Sequence, residues 1–502
     1  MSSGTIIFIA LVLAVTILGF LAARWGAAKV NTLDEWALGG RRFGTIVSWF
    51  LLGGDLYTAY TFIAVPALAY GAGALAFFAV PYTTIAYPLV FLIMTRFWSI
   101  AKRRGYVTAA DFVHDRFGSR WLELAVAITG VLAVMPYIAL QLVGMQAVLE
   151  RAGLASSHAS ALLFLVIAFG LLAAYTFTSG LRAPAMIAFV KDTLIYLTVI
   201  VALAIIPAKL GGWAHIFDAA QAALAARPKP ASIILGPNLF FAYSTLAFGS
   251  ALALFIYPHS ITSVLSARSA QVIKRNCALL PLYSLLLTFI ALLGYCALAA
   301  HVQIAANNNE VIPALFSQFF PNWFAGVAFA AIVIGALVPA AIMSIGAANL
   351  FASNILQTFR ARQTRPASEF NTARYIALLV LAGGFSIAAF VRPQFAINFQ
   401  LLGGAWILQI FPAVVLGLYT RWFHPAALLA GWIAGMAAAT WMAVSTNFAT
   451  FFPLHVGGTV VAGANMFYAF IVNLAVTVVL TLVLGAVKAN AGTDVTSAAD
   501  YA

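Results

Sequence analysis

An all-α polytopic membrane protein with thirteen transmembrane helices is the fold class that this sequence predicts, and three observations lead there. Of 502 residues, 64% are hydrophobic and only 8% charged, against about 25% charged in ordinary soluble domains. Apolar runs recur at lengths of about 20 residues, as bilayer-spanning helices require, whereas a membrane β-barrel would show short alternating segments. Lys and Arg gather in alternate loops, as membrane orientation demands. That distribution accounts for the net charge of +13 without nucleic acid as a partner. The whole chain is expected to form a single transmembrane domain.

The expected spans are 5–25, 46–70, 75–98, 121–149, 160–178, 184–207, 238–262, 277–301, 323–350, 372–391, 398–419, 423–445 and 463–487. The first lacks a basic n-region and a cleavage site, so it reads as a span rather than a signal peptide. The second is the most informative. Asp55 sits inside its apolar run behind Gly53-Gly54, with Pro66 further on. An intramembrane acid is costly and marks a partner, a cavity or an ion path. Gly and Pro weaken the helix around it, and freed carbonyls are then available to hold a cation.

After the third span, residues 102–120 mix Asp111, His114 and Asp115 with many cations, which predicts a helical cytoplasmic loop with internal salt bridges. The fourth span offers Tyr137 and Gln141 one turn apart beside Pro136. The sixth carries Lys191-Asp192. Neighbours on a helix point about 100° apart, so these two are not expected to form an ideal pair. Either they lie near the inner headgroups with Lys191 snorkelling, or they belong to the ion path. Residues 213–226 have helical apolar spacing and are expected on the outer membrane surface.

The seventh span offers Tyr243 and Ser244, a Gly249-Ser250 interruption and then Pro258 and His259. Cys277 and Cys296 fall in apolar helix sequence and read as small core residues. The ninth span places Ser344 as a candidate cation ligand, since hydroxyls and carbonyls are the hard oxygens such ions prefer, although a serine bonding its own turn is the commoner fate. The eleventh offers Gln400, Trp406 and Gln409. The tail, 489–502, is small and polar and is expected to be a disordered cytoplasmic segment.

Orientation follows from the loops. With the N-terminus outside, the inner side carries twenty cations, including Arg41, Arg42, Arg103, Arg104, Arg268 and Arg421, and the outer side five: Arg151, Lys209, Arg227, Lys229 and Arg392. The expected topology is therefore an N-terminus outside and a C-terminus on the cytoplasmic side. If spans 2–6 and 7–11 are two five-helix halves, the glycine interruptions fall in the first helix of each, which points to a binding site between inverted repeats.

Polar side chains in these spans nominate a pocket for a small polar substrate: Tyr57, Thr58, Tyr137, Gln141, Tyr243, Ser244, Trp406 and Gln409. Seven histidines are scattered without metal spacing, so no transition-metal site is expected. Phosphate-cradling loops, zinc spacing and a nucleophile–base pair are not found, which argues against an enzyme and its cofactors.

Several stretches in order resemble the solute:sodium symporter family. Residues 33–42 (LDEWALGGRR) resemble its first inner loop and residues 106–118 (YVTAADFVHDRFG) its second. Ser179-Gly180-Leu181-Arg182-Ala183 resembles its glycine–leucine–basic turn. Tyr257-Pro258-His259 through Ala267-Arg268-Ser269 resembles the end of its seventh span, residues 341–354 its ninth, and Gln409-Ile410-Phe411-Pro412 with Gly417-Leu418-Tyr419 its eleventh. The run from Gly53 to Thr58, with Thr178-Ser179-Gly180 and Lys191-Asp192, looks most like the family's bacterial monocarboxylate (lactate, pyruvate, alanine) permeases.

The resemblance implies a five-plus-five inverted-repeat core over spans 2–11 with flanking helices, and cation-coupled import of an organic solute by alternating access. The family's cation site, carried onto this chain, falls around Gly53 and Leu56 beside Asp55, and on Ala341, Ser344 and Ile345. Isoleucine at the last position supplies no oxygen, a departure that should weaken sodium. The implied coupling ion is H+ or Na+, with Asp55 or the Lys191–Asp192 region as the titratable group. A sodium-coupled amino acid or other nutrient carrier is the alternative within transport, and a transporter-like sensor the alternative outside it. Oligomeric state is left open.

Overall fold

The computed structural model describes residues 2–24, 32–54, 57–155, 158–304, 308–359, 366–390 and 396–501. Among these, eleven helices are long and apolar enough to cross a membrane, and two shorter apolar helices, Thr45–Gly54 and Leu163–Ser179, accompany them. Local signals in the sequence explain many of the boundaries. The N-terminal helix α1 (Ser3–Leu21) starts where Ser2 accepts the Thr5 N–H. The short α2 (Leu33–Leu38) starts on Thr32 in the same way, and α3 (Thr45–Gly54) follows. These side chains satisfy N–H groups that a helix start leaves without an internal acceptor.

The second expected span is discontinuous. α3 is described as far as Gly54, Tyr57 and Thr58 are not helical, and helix resumes at Ala59, entering a π-turn over Tyr60–Ala64. Pro66 follows at the start of the next α-helical stretch; lacking an N–H, it cannot complete the ladder of an ordinary α-turn. The helical run α4 (Tyr60–Arg104) then bends sharply at Gly73, whose φ is 62°, so the expected spans 46–70 and 75–98 meet there. A Thr108–Asp111 capping box starts α5 (Ala109–Phe117), the helix expected in the charged loop, and Gly118 in the left-handed region ends it.

The long α6 (Arg120–Arg151) packs on several later helices. α7 (His158–Ser179) and α8 (Arg182–Lys209) are joined at Gly180, whose φ is 55° and whose α-carbon faces the Trp36 carbonyl. α9 (Trp213–Ala225) buries Ile216, Ala220 and Leu224.

The seventh expected span is also interrupted, though at a different place from the one foreseen. α10 (Phe240–Leu254) runs straight through Gly249-Ser250 and ends at Phe255; α11 (Pro258–Leu265) begins after a gap. Gly249 serves packing instead, since the Met466 side chain lies where its methyl would be. Proline sets the break: it drives Tyr257 to an extended ψ of 145°, as residues before proline are driven.

Five further helices follow: α12 (Ala270–Ala299), α13 (Val311–Phe319), α14 (Asn322–Phe359), α15 (Pro366–Phe390) and α16 (Ile397–Leu418). The last pair, α17 (Pro425–Ser445) and α18 (Asn465–Ala486), pack against each other. Between them stands a hairpin that the all-α expectation did not include. β1 (Phe451–Val456) pairs antiparallel with β2 (Thr459–Ala464) around Gly457-Gly458, both at positive φ. A glycine pair between β-branched and aromatic residues is a two-residue hairpin signal.

The expectation of a disordered tail is corrected as well. Asp494 pairs with Arg116 at 2.8 Å and Arg421 at 3.1 Å, Asp500 pairs with Arg104 at 2.8 Å, and the Tyr501 ring lies under Arg96. Polar composition leaves a segment without a core of its own, but here α5 and its neighbours offer arginines as partners.

Candidate functional site

The break in the second span is where the polar chemistry of the interior converges. Around the break, the backbone carbonyls of Gly54 and Tyr57 face one side chain. The Lys191 ammonium, on α8, takes them. Its Nζ donates to the Gly54 carbonyl at 2.8 Å and the Tyr57 carbonyl at 2.9 Å, and it lies 2.8 Å from Asp192 Oδ1. Both charged side chains are 0% exposed. The second Asp192 oxygen accepts a hydrogen bond from the Tyr283 hydroxyl at 2.9 Å. The expectation that Lys191 and Asp192 do not pair is therefore overturned, and the fully buried Lys191 does not snorkel. Their Cβ atoms do diverge, yet the four-carbon lysine stem is long enough to swing its head back onto the neighbouring carboxylate.

Tyr283, on α12, fixes the site from the other side. Its ring lies on Gly53, where a methyl group would overlap it, and 4.4 Å from the Tyr57 ring centroid. The Tyr57 hydroxyl donates to the Tyr283 carbonyl at 3.2 Å. Gly53 is thus required by the approach of an aromatic ring to bare backbone. Asp55 and Leu56 lie outside the described residues.

The second half of the broken span begins with its donors already satisfied. Thr58 Oγ1 accepts from the Tyr60 N–H at 2.9 Å, and Gln141 Oε1 accepts from the Ala59 N–H at 3.0 Å. Two residues expected to touch substrate are therefore helix caps here, Gln141 reaching across from α6. Tyr137, one turn away, packs edge-on against Tyr257 and His259.

Beside the Lys191–Asp192 pair lies a small chamber of about 10 Å³, walled by Tyr57, Tyr60, Tyr82, Tyr87 and Tyr283. Thr61, Thr83 and Ser284 add hydroxyls, and Ser284 ties Thr83 (2.7 Å) to Tyr87 (2.8 Å). Such a volume admits about one water molecule. A three-carbon acid enters only if the helices move apart. Apart from Tyr57, none of these walls was nominated from sequence. A Tyr283-Ser284 pair inside the apolar eighth span was the available signal.

Other nominated residues go elsewhere. Ser344 donates to the Ala341 carbonyl at 2.8 Å, within its own turn, and Ala341 and Ile345 are buried in the same helix. Ser244 is exposed and Tyr243 half-buried near the start of α10. Trp406 donates to Thr440 on α17 at 3.2 Å, and Gln409 is held by Asn473 on α18, whose amide donates to its side-chain oxygen at 3.1 Å. Trp406 and Gln409 therefore fasten the flanking helices and do not line the chamber. Asn354, further along the ninth span, donates to Asp111 at 2.7 Å and Glu123 at 2.9 Å, anchoring α5. Among the described residues, no three His, Cys, Asp or Glu side chains are grouped to hold a metal ion.

Comparison with known proteins gives a consistent picture. Residues 36–435 match the Sodium:solute symporter family. The chain is 50% identical over 483 residues, 96% of each chain, to a protein of Rhizobium johnstonii (strain DSM 114642 / LMG 32736 / 3841) named monocarboxylate transport permease protein. It is 34% identical, over 85% of each chain, to the uncharacterized symporter YodF of Bacillus subtilis (strain 168). The solved structure of a Na+-coupled sialic acid symporter in a substrate-bound outward-open state superposes with a TM-score of 0.77 at 15% identity, covering 97% of this chain and 98% of that one.

Proposed function

Because this chain belongs to the sodium:solute symporter family, we propose that it imports small organic acids, monocarboxylates such as lactate or pyruvate, together with a cation, H+ or Na+. The observation that carries the reading is the discontinuous second span with a fully buried ammonium on its carbonyls and a hydroxyl-lined chamber beside it. Hydroxyls are donors that suit a carboxylate without binding it irreversibly. The Lys191 charge near the chamber would favour an anion, and the Asp192 carboxyl beside it would oppose it until a cation joins. Substrate and cation then improve each other's binding, as linkage requires.

The name of the Rhizobium relative supports the substrate class. Paired interruptions after Gly54 and Leu254 support two halves, spans 2–6 and 7–11, related as inverted repeats. The nearly closed chamber supports alternating access, since solute has to be admitted and released by helix movement. We place the protein in a bacterial inner membrane with thirteen crossings, the N-terminus periplasmic and the C-terminus cytoplasmic.

Competition tests the substrate class. Uptake of labelled lactate by cells expressing the chain should be blocked by excess pyruvate and left nearly intact by proline. Block by proline with indifference to pyruvate would favour a sodium-coupled amino acid carrier instead.

A further inference from the structure

Helix breaks in membrane proteins free carbonyls for cations, and here that role is already filled from within the chain. We propose that the Lys191 ammonium is a tethered cation occupying the seat that the broken second span offers, so that no sodium ion binds there while Lys191 is present. The inference deepens the symport reading and rests on it, because it concerns which ion that site admits.

Among the described residues, three oxygens lie around Nζ: the Gly54 and Tyr57 carbonyls at 2.8 and 2.9 Å and Asp192 Oδ1 at 2.8 Å. An ammonium has three donors and no acceptor; here it donates to the two carbonyls and pairs by charge with the carboxylate. Two backbone carbonyls and a carboxylate are also the hard oxygens that an alkali ion takes. The ammonium therefore competes for the same ligands as a free ion, and carries the same charge. Its tether makes the competition unequal: it is held by α8 at a fixed place, whereas an ion has to give up water and its freedom of translation.

The surroundings leave little room for both. Lys191 and Asp192 are wholly buried, Tyr283 covers the far carboxylate oxygen, and even a methyl on Gly54 would touch Nζ at 3.2 Å. On the ninth span, the hydroxyl of Ser344 is turned to its own helix.

The test uses the purified full chain and the ions themselves. In detergent, replacing choline chloride with sodium chloride should move the melting temperature of the wild type by less than about 1 °C, whereas Lys191→Ala, with its seat emptied, should gain several degrees, because a ligand that binds only the folded state raises stability. Lys191→Gln serves as the second variant if alanine does not fold. In proteoliposomes, exchange of labelled lactate, pyruvate or alanine by the wild type should be unchanged when sodium is replaced by choline, and the variant's exchange should rise at least tenfold when sodium is added. A wild type stabilised by sodium, or whose exchange falls tenfold without it, overturns the proposal. So does a folded variant indifferent to sodium in both assays. Failure of the wild type to exchange any of the three solutes would sink the symport reading, and the melting temperatures would still decide whether the seat takes sodium.

Discussion

The Lys191–Asp192 pair shows how far a buried charge depends on its neighbours. Each partner is removed from water, Lys191 against the Gly54 and Tyr57 carbonyls and Asp192 against the Tyr283 hydroxyl. Replacing Asp192 by Asn removes the carboxylate that pairs with the ammonium at 2.8 Å, which breaks a buried pair. Such losses cost about 3–5 kcal/mol, so a marked fall in the melting temperature of the detergent-solubilised protein is expected. A smaller loss is expected for Gln141→Ala, which leaves the Ala59 N–H without its acceptor at about 1–3 kcal/mol. A melting temperature within error of wild type would show that the cap contributes nothing. At this scale, the sequence revealed which residues were costly but not what they touch. Lys191, Asp192, Tyr57 and Gly53 stood out as polar or glycine positions in apolar runs, and they do meet. Tyr283 and Tyr87 did not stand out, because an aromatic in a membrane helix is ordinary until its hydroxyl is seen to have a task. The pairing of Lys191 with its own neighbour was misjudged because helix geometry fixes Cβ, not the end of a long side chain.

Elements were more legible than contacts. Apolar length pointed to a mostly helical chain, in which eleven described helices are long and apolar enough to cross a membrane, and the break after Gly53-Gly54 was foreseen from the glycine pair. The second break was foreseen in the right span and assigned to the wrong residues, since a lone glycine in a helix is tolerated for packing and proline is not. The hairpin around Gly457-Gly458 was missed because it sits between two strong helical signals. Helix junctions give a further prediction. Gly180 joins α7 to α8 at positive φ, against the Trp36 carbonyl, which accepts from the Leu181 N–H at 2.8 Å. Gly180→Ala combines backbone strain with overlap, each worth about 1–3 kcal/mol. It should lower yield and melting temperature together. A variant as stable as wild type would mean that the junction relaxes freely.

At the scale of the molecule, the basic loops are drawn together by the final residues of the chain. Asp494 bridges Arg116 and Arg421, and Asp500 pairs with Arg104. These contacts border a polar recess of about 510 Å³ that includes Arg104, Asp115 and Glu123. The hydrogen bond from Arg104 holds the Asp500 carboxyl down to about 2 from its ordinary 3.8. A lowered acid favours the docked state above the ordinary value, so docking should hold from neutral pH down to 3.8 and weaken as pH falls toward 2. A fluorescent label at Ser497 should become mobile across that window, and at high salt, where exposed pairs are screened. A label equally mobile at neutral pH and low salt would show that the tail is not held. Composition alone had suggested a loose end, because docking depends on arginines brought from distant loops.

The central claim is that a cation and an organic acid move together through the broken second span. Purified protein in proteoliposomes, given labelled lactate under separately imposed H+, Na+ and voltage gradients, measures this directly. Accumulation above the outside concentration under at least one of the inward H+ and Na+ gradients, lost in Asp192→Asn while the variant remains folded, is the expected result. Uptake that only equilibrates, whichever gradient is applied, would contradict it.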